Sequence, residues 1–269
     1  MSRPIAVVTG AGRGLGALVA ARLAARDHAV CCTDVDLPAA EATAHRIGAG
    51  AFAIEQDVRE PASHRRVAVA ATERGTVKVW VNNAGVLRLG AAWEQDDATV
   101  EQMLSVNLGG VVHGSRAAVG AMRDLGGVLV NVASMSSLVP APGLAVYGAT
   151  KHAVLGFSTG LEGDLRRARI PIRVCAICPD AMETDMVKGV ADQDESDLLY
   201  ASLRMLRPEE AADAIAELVE RPRLLSVLPR SRGLLAHALQ PFPAASLRIL
   251  ELFGGIGRRV RRSRGLTRS

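Results

Sequence analysis

Seven short runs of apolar residues, many of them β-branched, recur along the chain with helix-length segments between them. This alternation restricts the fold more than any other feature. The runs are residues 5–8 (IAVV), 29–35 (AVCCTDV), 51–54 (AFAI), 77–81 (VKVWV), 127–132 (GVLVNV), 172–177 (IRVCAI) and 224–228 (LLSVL). Helices are expected near 14–26, 37–47, 62–74, 97–122, 147–168 and 208–220. Strands that are apolar almost throughout suit a sheet covered on both faces. Strand–helix alternation gives right-handed crossovers and a parallel sheet. Residues 1–230 therefore read as one α/β domain, a doubly wound, mainly parallel seven-stranded sheet with helices on both faces. Residues 231–269 read as an amphipathic, arginine-rich C-terminal extension. Ligands of such sheets bind beyond the carboxyl ends of the strands.

A chain of 269 residues, 49% hydrophobic and 22% charged, can bury roughly 70–75% of its unfolded surface without covalent staples. Alanine, glycine and valine are abundant while aromatics make up 3%, so helices are expected to sit close on the sheet. Cys31, Cys32, Cys175 and Cys178 all lie inside apolar strand runs. Cys175 and Cys178 have CxxC spacing, but a zinc pair needs loop placement and further ligands nearby. The four read as small buried hydrophobes, and no metal site is expected. The first apolar run leads into a glycine loop and not into a secretory leader, so the cytoplasm is the expected location. The net charge of +4 is uneven: Arg258, Arg259, Arg261, Arg262, Arg264 and Arg268 crowd the last twelve residues without an acid, and the remainder carries −2. The basic character belongs to a tail and implies no nucleic-acid-binding face.

The first run passes into TGAGRGLG, residues 9–16. Glycines there let the chain turn tightly and let backbone N–H groups approach a pyrophosphate at a helix N-terminus. The spacing of Gly10, Gly12, Gly14 and Gly16 is not the strict GxGxxG. The reading as a Rossmann-type dinucleotide site rests on context: a strand before, a helix after, and an acid at the end of the second strand. That acid is Asp34, 18 residues past Gly16. Its carboxylate can accept hydrogen bonds from an adenosine ribose and repels a 2′-phosphate, which points to NAD. Arg13, in the loop, points the other way, to NADP; Asp34 carries more weight because like charges in contact are costly. Asp36 reads only as a loop carboxylate.

Tyr147 and Lys151, in YGATK, share one face of a helix. Together with the other motifs they resemble the classical short-chain dehydrogenase/reductase family. TGAGRGLG is similar to that family's TGxxxGxG cofactor loop, with Gly10, Arg13, Gly14, Leu15 and Gly16 at the cofactor. Asp57 and Val58, in QDV, resemble its adenine contact. Asn83, Ala84 and Gly85, in NNAG, resemble the motif that lines the cofactor cleft after the fourth strand. Asn107, in SVNLGG, falls where the family carries a helix-borne catalytic asparagine. Ser134, in NVASM, precedes Tyr147 by 13 residues, the family spacing, and YGATK matches YxxxK. The motifs cover residues 5 to about 185, and the element order continues to about 229. The pattern departs after the sixth strand, where Pro179 is followed by Asp180 and not by glycine. Thr184 still holds the position of the family's carboxamide-binding threonine.

The resemblance implies an oxidoreductase that moves a hydride to or from a nicotinamide. A free tyrosine, with a pKa of ~10, does not deprotonate readily at neutral pH. A cation one turn away is expected to lower that value, making Tyr147 a general base for alcohol oxidation and a general acid for carbonyl reduction. Ser134 would hold the substrate oxygen. The resemblance further implies that Lys151 binds the nicotinamide ribose and that Asn107 holds a water linking Lys151 to solvent. A non-catalytic dinucleotide sensor is the rival class, but it has no need of Ser134.

Specificity is expected from residues 181–207 and from SLVPAPGLAV, 137–146, whose apolar character points to a hydrophobic alcohol or ketone of lipid, steroid, retinoid or terpenoid type. VADQDESDLLY, 190–200, reads as a solvated lid surface. No DGG ending is present, and a dimer through the helices near 97–122 and 147–168 is expected in preference to a tetramer. In the tail, Ala245, Ile249, Leu252, Phe253, Ile256 and Val260 form an apolar stripe, with Arg248, Arg259 and Arg262 off it. The tail has two readings: a helix docked on the protein's own body or on a partner subunit, or a basic amphipathic helix lying on an anionic membrane, as for a membrane-surface NADPH-dependent reductase. Gly254, Gly255 and Gly257 weaken a helix in either case.

Overall fold

The computed structural model describes residues 3–201, 204–263 and 266. Its strands are β1 (Ile5–Thr9), β2 (Ala29–Asp34), β3 (Phe52–Glu55), β4 (Val77–Asn82), β5 (Gly127–Val132), β6 (Ile172–Pro179) and β7 (Leu225–Leu228). They form one sheet in the order β3-β2-β1-β4-β5-β6-β7, and every neighbouring pair is parallel. The Rossmann-type sheet expected from the sequence is present. From β1 the chain builds outward through β2 and β3, then returns to place β4 on the other side of β1. The crevice that binds ligands in such sheets therefore lies beyond the carboxyl ends of β1 and β4, from which the chain leaves to helices on opposite faces.

Successive strand residues point to opposite faces, and each face carries its own helices. Ala6, Val8, Val30 and Cys32 pack under α1 (Gly14–Ala24), α2 (Leu37–Ile47) and α8 (Pro208–Glu220). Ile5, Val7, Cys31 and Trp80 pack under α3 (Pro61–Arg74), α5 (Gly110–Met122) and α6 (Ala145–Arg167). Ala20, Ala40, Ala211, Ala212 and Ala216 are fully buried, so small side chains bring helix backbones close to the sheet, as the composition implied. Asp36 is more than a loop carboxylate: it caps α2 by accepting from the Ala39 N–H at 3.1 Å, which satisfies one of the helix's free donors. All four cysteines are free and buried in β2 and β6, and burial pushes the Cys175 and Cys178 thiols up to about 11 each.

The single helix expected over 97–122 is instead two. They are α4 (Asp97–Met103) and α5, joined by a π-helical turn, Leu104–Gly109. Such wide turns commonly mark functional sites, and this one carries Asn107.

A buried polar network ties α5 and α6 to the sheet. Asn82 accepts from Trp80 Nε1 at 3.0 Å and donates to Asn131 Oδ1 at 2.9 Å and Ser115 Oγ at 3.2 Å. Asn131 in turn donates to Ser158 Oγ at 3.0 Å. Gly114 of α5 crosses directly over this network.

The C-terminal segment forms α9 (Arg230–Leu239) and α10 (Pro243–Ser263). α10 lies against the short 3-10 segment Asp194–Tyr200. Its docked face coincides only in part with the apolar stripe expected from the sequence: Ile249 and Phe253 line the same cavity as Tyr147 and Val260 packs on the body, while Leu252 and Ile256 face outward. Ser246, Gly257 and Arg261 are buried, whereas Leu252 is 74% exposed. Gly257 is required by this contact: a Cβ there would stand 1.8 Å from the Asp197 carbonyl oxygen. Asp197 itself is buried and paired with Arg261, which corrects the reading of residues 190–200 as a solvated surface. Arg264 and Arg268 lie outside the described residues. Among the described residues no helix is long and apolar enough to cross a membrane.

Alanine normally stabilises a helix interior by roughly 0.5–1 kcal/mol over glycine. At Gly120 of α5 an added Cβ meets nothing within 4 Å, whereas at Gly114 it would stand 2.0 Å from Asn82 Oδ1. Gly120→Ala is expected to raise the urea midpoint. Gly114→Ala is expected to lower it, by about 1–3 kcal/mol of overpacking.

Candidate active site

Thr9 closes β1, and its hydroxyl holds the switch point together. Its oxygen accepts from the Asn83 N–H at 3.0 Å and the Ala84 N–H at 3.1 Å, so the loop after β4 hangs on it. The Asn83 side chain donates back to the Thr9 and Gly10 carbonyls at 2.9 and 3.2 Å. Gly10 has φ +64°, and a Cβ there would lie 2.9 Å from Ala84 Cα. A Cβ on Gly16 would lie 2.0 Å from the Gly10 carbonyl oxygen. These contacts leave room for backbone only.

The first turn of α1 holds Gly14, Leu15 and Gly16, whose N–H groups have no partner within the helix. The Leu15 side chain is in the core, so it has only its amide to offer a ligand. Arg13, at the N-cap, is exposed. Asp34 lies beside this turn, with Oδ2 accepting from the Gly12 N–H at 2.9 Å and Oδ1 from the Asp36 N–H at 3.1 Å. Asp57 is bound by the Arg59 fork, and hydrogen bonds from Arg59 hold its carboxyl below the usual range. Val58 packs against α5 at Gly110, and its carbonyl is bonded to His64 Nε2 at 2.9 Å. The sequence reading missed His64 and Gln56, which are buried and bonded to each other at 2.9 Å; they buttress the segment carrying Asp57 and Val58. The cradle fits a dinucleotide: free helix-terminal N–H groups, glycines that bring backbone within reach, and a carboxylate at the end of β2.

The expected catalytic residues converge beside the cradle. Ser134 follows β5 and caps the 3-10 turn Met135–Ser137. Its Oγ accepts from the Ser136 N–H at 3.2 Å, and its hydroxyl lines the same cavity as the Tyr147 phenol. Lys151 is 4% exposed, its Nζ donates to the Val132 carbonyl at 2.9 Å, and it stands 5.7 Å from the Tyr147 ring centroid. Ser137, also missed, fixes the helix carrying the pair by donating to the Lys151 carbonyl at 2.8 Å. Asn107 accepts from the Val86 N–H at 2.8 Å and donates to the Val86 carbonyl at 2.9 Å and to Thr150 Oγ1 at 3.4 Å. Its amide therefore clamps the loop after β4 onto α6. Beside Gly85, a Cβ would meet Asn107 Oδ1 at 3.3 Å and Lys151 Nζ at 3.8 Å.

The expected depression of the phenol is not what the surroundings produce. Burial pushes Tyr147 up to about 12, and the neighbouring Ser134 hydroxyl opposes this only in part. Tyr147 as a whole is half-buried; its open face moderates the push without reversing it. Burial also pushes Lys151 down to about 8. The sequence showed the cation and the phenol but not the low dielectric around both.

A cavity of about 280 Å³ opens over Tyr147 and Ser134. Pro179, Asp180 and Thr184 line it at the end of β6, and Thr184 also caps the short helix α7 (Asp185–Lys188) through the Val187 N–H at 3.4 Å. Both segments expected to set specificity supply walls, among them Val139, Leu144, Met182 and Leu199. Neither accounts for the far wall, which comes from α9 and α10.

A model of the short chain dehydrogenase family matches residues 4–195. The chain is 31% identical over 220 residues to carbonyl reductase family member 4 of Xenopus tropicalis, covering 81% of this chain and 92% of that protein. Its structure resembles that of a short chain dehydrogenase/reductase from Burkholderia phymatum in complex with NAD. That match has a TM-score of 0.80 and 26% identity, over 87% of this chain and 92% of the other. A 3-ketoacyl-(acyl-carrier-protein) reductase from Brucella melitensis complexed with NADH is similar at TM-score 0.75 and 30% identity, over 84% and 96%. The chain belongs to the short-chain dehydrogenase family. It is thereby an oxidoreductase of CH–OH and carbonyl groups that uses a nicotinamide dinucleotide.

Thr9→Val keeps the size of the side chain but strands the Asn83 and Ala84 N–H groups, each at about 1–3 kcal/mol when unpaired. The affinity for reduced cofactor, measured by nicotinamide fluorescence, is expected to fall at least about tenfold with the far-UV circular dichroism unchanged.

Proposed function

We propose that the protein transfers a hydride between NAD and the carbinol carbon of a hydrophobic secondary alcohol or its ketone, with Tyr147 as general acid and base. The observation that carries this reading is that Ser134 and Tyr147 line one apolar cavity together, with Lys151 Nζ 5.7 Å from the Tyr147 ring centroid. The nicotinamide supplies or accepts the hydride when bound. Ser134 and Tyr147 present two hydroxyls to the substrate oxygen. In reduction, Tyr147 donates its proton to that oxygen as it gains charge; in oxidation, the phenolate takes the proton back. A phenol pushed up to about 12 is protonated at neutral pH, which suits reduction directly and makes oxidation wait on deprotonation. Lys151 as a cation supports the phenolate, and within this reading it also meets the ribose next to the nicotinamide. Gly10, Gly14, Leu15 and Gly16 serve the pyrophosphate, Asp57 and Val58 the adenine, Asn83, Ala84 and Gly85 the cleft floor, and Pro179 and Thr184 the carboxamide side.

Asp34 supports NAD over NADP because its carboxylate is fixed at the loop by the Gly12 N–H. One observation favours the phosphate-bearing form: Arg13, Thr43 and Arg46 share a depression on the outer side of the glycine turn. The same reading has a cytoplasmic enzyme, in keeping with four unpaired cysteines. It has a dimer joined across α5 and α6, where Gly156, Gly160 and Gly163 leave open space for a partner helix. It includes no nucleic-acid partner. Contact of the tail with a membrane surface would use the side of α10 that bears Leu247, Leu252 and Arg248.

Tyr147→Phe is expected to lower kcat by at least ~10²-fold, the usual scale for a lost general acid or base, while the Kd for NADH holds. In the wild type, oxidation of an apolar secondary alcohol is expected to rise from pH 6 to 9, because the phenolate fraction grows with pH. Ketone reduction is expected to be level and then fall above about pH 8, where Lys151 loses its charge. The apparent values belong to the coupled pair. Pre-steady-state absorbance of the reduced nicotinamide band reads both directions; an unchanged rate in the Phe variant removes Tyr147 from the mechanism.

Asp34→Ala removes the repulsion of a 2′-phosphate. The ratio of kcat/KM with NADP to that with NAD is expected to rise at least about tenfold, roughly the effect of 1.4 kcal/mol.

A further inference from the structure

The far wall of the cavity lies outside the region matched by the family model, which ends at residue 195. Leu235 and Leu239 of α9 and Ile249, Leu250 and Phe253 of α10 face the same space as Tyr147. Leu235 and Phe253 retain 50% and 37% exposure, so the protein alone does not cover them.

Two ionic contacts tie this arm to the body of the protein, one through each helix. Arg232 of α9 pairs with Asp180 directly after β6. Asp180 is the residue that stands where the family pattern has glycine, and its other oxygen accepts from the Ala181 N–H at 2.8 Å. Through α10, Arg261, fully buried, donates to Asp197 Oδ1 at 2.6 Å, the Ala191 carbonyl at 3.1 Å and the Asp194 carbonyl at 3.3 Å. Between them the Ser246 hydroxyl donates to the Leu239 and Phe242 carbonyls at 2.9 and 3.1 Å, fixing the turn from α9 to α10. A buried charge tolerates few positions, because each lost partner leaves an uncompensated group. The contacts therefore set the register of α10 over the cavity.

We propose that the α9–α10 arm is the specificity wall of the enzyme: it holds the apolar body of the alcohol or ketone, and the Asp180–Arg232 and Asp197–Arg261 pairs fix its distance from Tyr147. This rests on the reading of the cavity as an alcohol and ketone site. The wall acts by shape and apolar contact and takes no part in the proton or hydride transfer.

The test uses the full chain and a homologous series of methyl ketones and secondary alcohols of increasing length. Ile249→Phe fills the cavity, and kcat/KM for long over short members is expected to fall about tenfold, the scale of a methylene or two in an apolar pocket. Phe253→Ala enlarges it, and the same ratio is expected to shift toward longer or bulkier members. Arg232→Met cuts one strap at its part-exposed end and is expected to raise KM for long members more than it lowers kcat. Hydrogen exchange supplies a readout without turnover: in the wild type, long members are expected to slow exchange over residues 249–257 of α10. If the wild type turns over the series and all three variants keep its length profile, the arm is not the wall, and the oxidoreductase reading stands. If no member is turned over with either cofactor but long members still protect α10, the arm holds apolar ligands, and the alcohol–ketone reading fails.

Discussion

The structure depends on one close approach, that of the ends of β1 and β4. A single hydroxyl, Thr9 Oγ1, receives two N–H groups from the opposite loop, and Gly10 and Gly16 remove the side chains that would separate the two. Everything at the site is referenced to this junction. The glycine turn delivers the free amides of α1. The loop after β4 delivers Gly85 against Lys151 and passes Val86 to Asn107. Asn107 then reaches Thr150 on α6, so the cofactor cradle and the helix carrying Tyr147 share one frame. The buried network from Asn82 through Asn131 to Ser158 repeats this connection one layer deeper. Such a network is costly if any member is left unpaired, which is why Gly114 and Ser115 face it from α5 and larger side chains do not.

That frame explains the balance of charges at the centre. Tyr147 and Lys151 could have been a surface pair, with the cation lowering the phenol modestly through water. They sit instead in a low-dielectric pocket that disfavours both charged forms, raising the tyrosine and lowering the lysine. The phenol is thus protonated at neutral pH. A positive charge arriving beside Lys151 would act strongly there, because low dielectric magnifies any field.

Much of this was legible in the chain. The strand runs mark the sheet to within a residue or two at most ends, because a parallel strand buried on both faces must be apolar throughout. The convergence of Asn107, Ser134, Tyr147 and Lys151 follows from motif order once the sheet is granted. What stayed hidden has physical reasons. The π-turn at 104–109 shifts backbone hydrogen bonds by one residue without disturbing the apolar pattern. The elevation of Tyr147 depends on burial, which no spacing reveals. Asp180 meets Arg232 across 52 residues and Asp197 meets Arg261 across 64, separations at which single charges carry no visible periodicity. The tail was legible only in part: Ile249, Phe253 and Val260 of its apolar stripe do face the body, but the most closely packed positions are Gly257 and Arg261, one with no side chain and one with a charge.

The ionic straps also account for the departure from glycine at residue 180. An acid bordering an apolar cavity is unfavourable unless its charge is met, so Asp180 makes sense only together with α9, which brings Arg232. Pairs of this kind add little net stability, since desolvation offsets most of the attraction. Their value is geometric. An apolar interface between α10 and the body would tolerate sliding by a turn, whereas Arg261, enclosed by three acceptors, admits one register. The sheet therefore fixes where chemistry happens through backbone contacts common to every part of the junction. The arm fixes how much room a substrate has through two charge pairs that can be changed without touching that junction.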